Sequence, residues 1–132
     1  MLNDSNLSTI QDQINVKTIL VVEDDEAIGD FIVEALKQET EHQALLATDG
    51  ASALQVAKSL KPNLLLLDYR LLDMNGVELY DRLHMIDGFG EVPAIIMSAS
   101  IPRYKLEQRK VTRIEKPFEL GELLRTIEEL LV

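Results

Sequence analysis

Asp68 closes the run Leu64-Leu65-Leu66-Leu67, and an ionised carboxylate against four leucines is costly unless a partner compensates it. Three other apolar runs end in polar groups too. Ile19–Val22 leads into Glu23-Asp24-Asp25, Ala94–Met97 into Ser98, and the stretch Val111–Glu115 into Lys116-Pro117. If Glu23, Asp24 and Asp68 converge, each like-charged pair at about 5 Å costs roughly 3 kcal/mol at an effective dielectric near 20. Such a cluster calls for a cation, and an oxygen-only site with room for water and phosphate suits Mg²⁺ better than zinc. The chemistry this set could perform is attack of a carboxylate on phosphorus, giving an aspartyl phosphate. Phosphoryl transfer asks mainly for positioning and charge neutralisation. Asp68 ends a central strand and is the better nucleophile candidate. Lys116 supplies a counter-charge, and Ser98 a hydroxyl for a phosphoryl oxygen.

Each residue alone has an ordinary structural reading. Asp24 or Asp25 is placed to cap a helix, and Asp68 fits a turn or cap. Ser98 is by itself a strand-end hydroxyl, and Lys116 a solvated charge. The weight lies in the conjunction, and the elements around these residues explain it. Residues 18–23, 42–48, 63–68, 92–98 and 111–115 read as strands. Helical periodicity marks 25–38, 50–60, 77–86 and 118–132, with a fourth, poorly formed helix squeezed into 101–110 and followed by the last one. Asn75-Gly76 marks a turn, with Gly76 expected at positive φ. Alternating strands and helices imply an α/β fold, a mostly parallel sheet covered on both faces. Ligands of such sheets sit beyond the carboxyl ends of the strands. Four of the five strands therefore deliver their polar groups to one edge.

Composition narrows the remaining possibilities. The 132 residues suit one domain, with residues 1–16 expected as a flexible tail and 17–132 as the folded unit. A net charge of −10 argues against direct nucleic-acid binding. No apolar run is long enough for a membrane span, and no signal peptide is evident. The absence of cysteine excludes disulfides and thiolate metal sites and fits a cytoplasmic protein. His42 and His84 have no partners at ligand spacing. Six of the thirteen Lys and Arg residues fall within 103–116. Arg103, Lys105, Arg109, Lys110 and Arg113 there form either a solvated basic face or a docking site for an acidic partner.

Four motifs, ILVVEDDE, LLLLDYRLLDMNG, PAIIMSA and EKPF, resemble in order and spacing the receiver domain of bacterial two-component response regulators. The resemblance covers about residues 17–132. It implies a (βα)5 flavodoxin-like fold with strand order 2-1-3-4-5. It further implies that Asp68 is the phosphorylated aspartate, with Mg²⁺ (or Mn²⁺ in its place) held by Glu23, Asp24, Asp68 and the Arg70 backbone carbonyl. Ser98 and Lys116 correspond to the phosphate-contacting pair, and the bond to Pro117 is expected to be cis. The implied donor is a histidine kinase or histidine phosphotransfer protein. An unidentified downstream protein and a homodimer are the further partners the family admits.

The sequence also departs from that family. Arg113 stands where an aromatic switch residue is usual, with Tyr104 as a conceivable replacement. The interval from Ser98 to Lys116 is shorter than usual, so the surface of the fourth helix, fifth strand and last helix is altered. Arg70 could reach across the phosphate mouth. One competing function is a degenerate receiver that binds partners without phosphorylation. A haloacid-dehalogenase-type phosphatase fits poorly, because Arg70 occupies the position of its second acid. A nucleotide-binding Rossmann module lacks its glycine-rich loop.

Overall fold

The computed structural model describes residues 16–132; of the tail expected over 1–16, residues 1–15 lie outside this range. Five strands, β1 (Thr18–Val22), β2 (Gln43–Ala47), β3 (Leu64–Asp68), β4 (Ala94–Ser98) and β5 (Val111–Glu115), form one parallel sheet in the order β2-β1-β3-β4-β5. Four α-helices connect or follow them: α1 (Glu26–Glu39), α2 (Gly50–Leu60), α3 (Gly76–His84) and α4 (Leu120–Leu130). Between β4 and β5 the expected fourth helix is reduced to one 3₁₀ turn, Arg103–Lys105. Pro102 precedes this turn and Gln108 adopts a left-handed φ of 66°. The 103–110 segment also has few apolar residues to bury, so a longer helix has nothing to gain from docking. Among the described residues no helix is long and apolar enough to cross a membrane.

Alternation along each buried strand divides the core in two. Leu20, Val22, Leu65, Leu67, Ala94 and Ile96 meet Ala53 and Ala57 of α2 and Val77, Leu79, Tyr80 and Leu83 of α3. The intervening residues, Ile19, Val21, Leu64, Leu66, Ile95 and Met97, meet Ile32 and Leu36 of α1 and Leu123 and Ile127 of α4. Every residue of β3 and β4 is buried, so these strands are held on both faces and their ends are placed firmly.

Local chemistry starts the helices. Asp25, not Asp24, caps α1, accepting from the Ile28 N–H at 3.2 Å. Asp49 caps α2 and Asn75 caps α3 through the N–H groups of Ser52 and Glu78. Asp25 thus takes the structural task and leaves Asp24 for the sheet edge. His42 and His84 are structural as well. His42 accepts from the Lys17 N–H at 3.1 Å, while both ring nitrogens of His84 lie 2.8 Å from carbonyls, those of Tyr80 and Val92.

Candidate functional site

Strand order places β3 between β1 and β4, so groups leaving the three carboxyl ends meet over the sheet edge. Glu23, Asp24 and Asp68 each present a carboxylate oxygen, all within 4.8 Å of one another. The Lys116 ammonium reaches them from beyond β5, with Nζ 3.0 Å from Asp68 Oδ1 and 3.7 Å from Glu23 Oε1. Asp24, Asp68, Tyr69, Arg70, Ser98, Ala99 and Lys116 line a cavity of about 430 Å³. Five residues read from the strand ends are therefore neighbours, four at the cavity wall and Glu23 beneath it.

Burial differentiates the carboxylates. Glu23 is 1% exposed and Asp68 6% exposed. Desolvation, then a hydrogen bond to Asp68 and its charge, push Glu23 up to about 8, while Lys116 acts in the opposite direction. Burial and Asp68 both favour the protonated form of Glu23 when no metal is bound. As an ionised group it would leave Oε2 buried with no donor. That orphaned oxygen, beside two more carboxylates, fits a hard divalent cation that takes oxygen ligands. Nitrogen or sulfur ligands suited to zinc are absent from the cluster.

The loop after Asp68 is built to hold this edge. The Gly76 N–H donates to the Tyr69 carbonyl at 2.7 Å, and Arg70 bridges to Asn75. Asp73 accepts from the N–H groups of Gly50 and Ala51, which hold its carboxyl below the usual range and fasten the loop to α2. Gly76 does not adopt the expected positive φ, which among the glycines belongs to Gly88 alone. Its requirement is steric: a Cβ would stand 2.8 Å from the Asp68 carbonyl oxygen. The turn-residue rule identified the glycine but not its reason.

The remaining candidates are more scattered. Ser98 is buried, and its hydroxyl accepts from the Ser100 N–H at 3.1 Å. Lys116–Pro117 is a cis peptide. Arg113 pairs with Glu115 at 2.8 Å and donates to the Ile101 carbonyl at 3.4 Å. Tyr104 is 68% exposed and does not fill an inward switch position. On the basic face, Arg109 binds Asp81 through two nitrogens at 2.8 Å each, and Lys110 lies 3.8 Å from Glu91. Lys105 donates to the Tyr69 hydroxyl at 3.0 Å, whereas Arg103 has no ion pair among the described residues. Much of the basic charge is thus answered within the chain. Tyr69 and Ala99 were missed as cavity residues; their positions directly after Asp68 and Ser98 were the available signal.

Comparison with known proteins agrees with the geometry. The family model for the response regulator receiver domain matches residues 19–128. Sporulation initiation phosphotransferase F of Bacillus subtilis is 29% identical over 117 residues, covering 86% of this chain and 92% of that protein. The sensor histidine kinase TmoS of Ectopseudomonas mendocina is 30% identical over 92% of this chain, which spans only 13% of the kinase. The chain likewise spans 48% of the DNA-binding response regulator MtrA of Mycobacterium leprae, at 32% identity. Among solved structures, a CheY-like receiver domain protein from Methanospirillum hungatei JF-1 superimposes with a TM-score of 0.78 at 27% identity, covering 88% of this chain and 94% of that one. With the strand order, the acid cluster and these matches in agreement, the chain belongs to the response regulator receiver domain family.

Proposed function

We propose that this domain is a phosphoacceptor switch of a two-component phosphorelay, with Asp68 as the acceptor. The observation that carries this reading is the approach of three carboxylates within 4.8 Å, with Lys116 3.0 Å from Asp68 at an open cavity. The donor would be a phosphohistidine on a kinase or phosphotransfer protein. An Asp68 oxygen attacks phosphorus, the phosphorus–nitrogen bond breaks, and the imidazole leaves with its electron pair and takes up a proton. Glu23, Asp24, Asp68 and the Arg70 carbonyl would hold Mg²⁺ or Mn²⁺, which when bound neutralises charge on the phosphoryl oxygens. Lys116 steadies another oxygen, and the Ser98 hydroxyl exchanges its bond with the Ser100 N–H for one to the phosphoryl group. The chain catalyses only its own phosphorylation and dephosphorylation. Output leaves through the 3₁₀ turn, β5 and α4, toward a downstream protein.

Intact-mass measurement after incubation with acetyl phosphate and Mg²⁺ tests the reading. One added phosphoryl group is expected, absent from Asp68→Asn and from a sample treated with EDTA. Failure to bind either phosphoryl or beryllofluoride would overturn it. A second reading, a binding module independent of phosphorylation, draws on Arg113, which pairs with Glu115 at the position where the family usually carries an aromatic switch residue. Partner binding unchanged by Asp68→Asn would favour that alternative.

A further inference from the structure

Tyr69 and Lys105 occupy opposite sides of a partition. Tyr69 lines the acid cavity, while Lys105 lines a neighbouring groove of about 310 Å³ with Asn75, Glu78, Asp81, Tyr104 and Arg109. The bond from Lys105 Nζ to the Tyr69 hydroxyl, 3.0 Å long, joins the two. The ammonium stands 5.7 Å from the centre of the Tyr69 ring, so it lies beyond the hydroxyl end of the ring, and the hydrogen bond is the contact that joins the two side chains. Neither end is loose. Tyr69 packs against the core cluster beneath α2 and α3, and its N–H donates to the Met97 carbonyl at 2.9 Å. On the other side the Lys105 carbonyl accepts from Arg109 Nη1 at 2.6 Å, and Arg109 is clamped to Asp81 of α3. A continuous line of contacts runs from α3 through Arg109 and Lys105 to the residue beside Asp68.

We infer that the Lys105–Tyr69 pair is a latch that holds the tyrosine ring at the wall of the acid cavity and lengthens the lifetime of a phosphoryl group on Asp68. This inference rests on the phosphoacceptor reading. Hydrolysis needs a water in line with the oxygen–phosphorus bond, and a fixed aromatic wall restricts the approach of that water. The reduced 103–105 turn is what permits the contact, because it brings a lysine close to the strand end. Tyr69 and Lys105 are positioning residues, acting through access to Asp68 and not through the transferring bond.

The test is the decay of phosphorylated protein, measured after removal of donor, in wild type, Lys105→Met, Lys105→Arg, Tyr69→Phe and the Lys105→Met/Tyr69→Phe double variant. Loss of the latch in Lys105→Met or Tyr69→Phe should accelerate decay about fivefold, the scale of one weakened hydrogen bond. Lys105→Arg retains a donor and should restore most of the lifetime. The double variant should decay no faster than the single ones, since both remove the same contact. Thermal unfolding beside the decay curves separates positioning from a general loss of structure: the variants should melt together while their lifetimes differ. Decay at the wild-type rate in both single variants, or fully additive effects, would overturn the latch while leaving the phosphoacceptor reading intact. A wild-type chain that takes up no phosphoryl group would overturn both.

Discussion

Replacing Glu23 with glutamine should make the metal-free domain more stable as the pH rises. Glu23 is almost fully buried, and its folded-state value of about 8 lies well above the ordinary 4.5 of a free glutamate. Below the unfolded value the acid is protonated in both states and contributes no difference. Between the two values the unfolded chain ionises Glu23 freely while the folded chain retains the proton, so folding loses stability as pH rises. The limiting slope is about 1.4 kcal/mol per pH unit for one group. Over the two units from pH 5.5 to 7.5, this amounts to about 2–3 kcal/mol. Glutamine keeps the shape and can donate to Asp68 without this titration. Urea unfolding of wild type and Glu23→Gln, both in EDTA, measures the effect. The titration already favours glutamine by about 1.4 kcal/mol near pH 5.5, and this advantage should grow by about a further 2–3 kcal/mol toward pH 7.5. A difference that stays flat with pH, or shrinks, would refute the claim that burial beside Asp68 keeps Glu23 protonated.

Three further outcomes follow from the same structure. Gly76→Ala sets a methyl group 2.8 Å from the Asp68 carbonyl oxygen; it should cost about 1–3 kcal/mol in urea unfolding and weaken beryllofluoride binding, because backbone must shift. A double-mutant cycle on Asp81→Ala and Arg109→Ala should give a coupling of about 1 kcal/mol for this partly exposed pair. Arg109 holds the Asp81 carboxyl below its ordinary value, so the coupling is present above the unfolded value and disappears as pH falls through the folded one; a coupling that survives there would be wrong for an ion pair. Leu66→Ala, within fully buried β3, should lose about 2–5 kcal/mol, with calorimetry as the check.

The sheet and most of the acid site were legible because both depend on strong, local patterns. Continuous apolar strands buried on two faces leave little choice of architecture, and a polar residue just beyond each one must emerge at the same edge. Glu23, Asp24, Asp68, Ser98 and Lys116 were readable for that reason. Pro102 and the weak apolar face likewise announced that the fourth helix would be short. Tyr69 was signalled only by its place directly after Asp68: strict alternation sends that residue to the opposite face, and the turn at the strand end brings it to the cavity. Its partner Lys105 lies thirty-six positions away in a stretch without periodicity. The basic face was legible only as a cluster of charge, since Asp81 and Glu91, which answer Arg109 and Lys110, come from distant parts of the chain. Gly76 shows a third limit, because close approach to another backbone leaves no trace in a neighbouring residue type.

The charge that Arg113 brings to β5 has a consequence for self-association. In this strand order β5 is an edge, with one side of its backbone unpaired among the described residues. Flat apolar edges recruit further strands, and charges placed along them discourage it. Arg113 and Glu115 put two charges of opposite sign on five residues of that edge, and Lys110 precedes them. An aromatic at position 113 would remove one of these guards and supply a β-prone side chain in its place. Charge at position 113 therefore works against the addition of a sixth strand, where an aromatic would favour it.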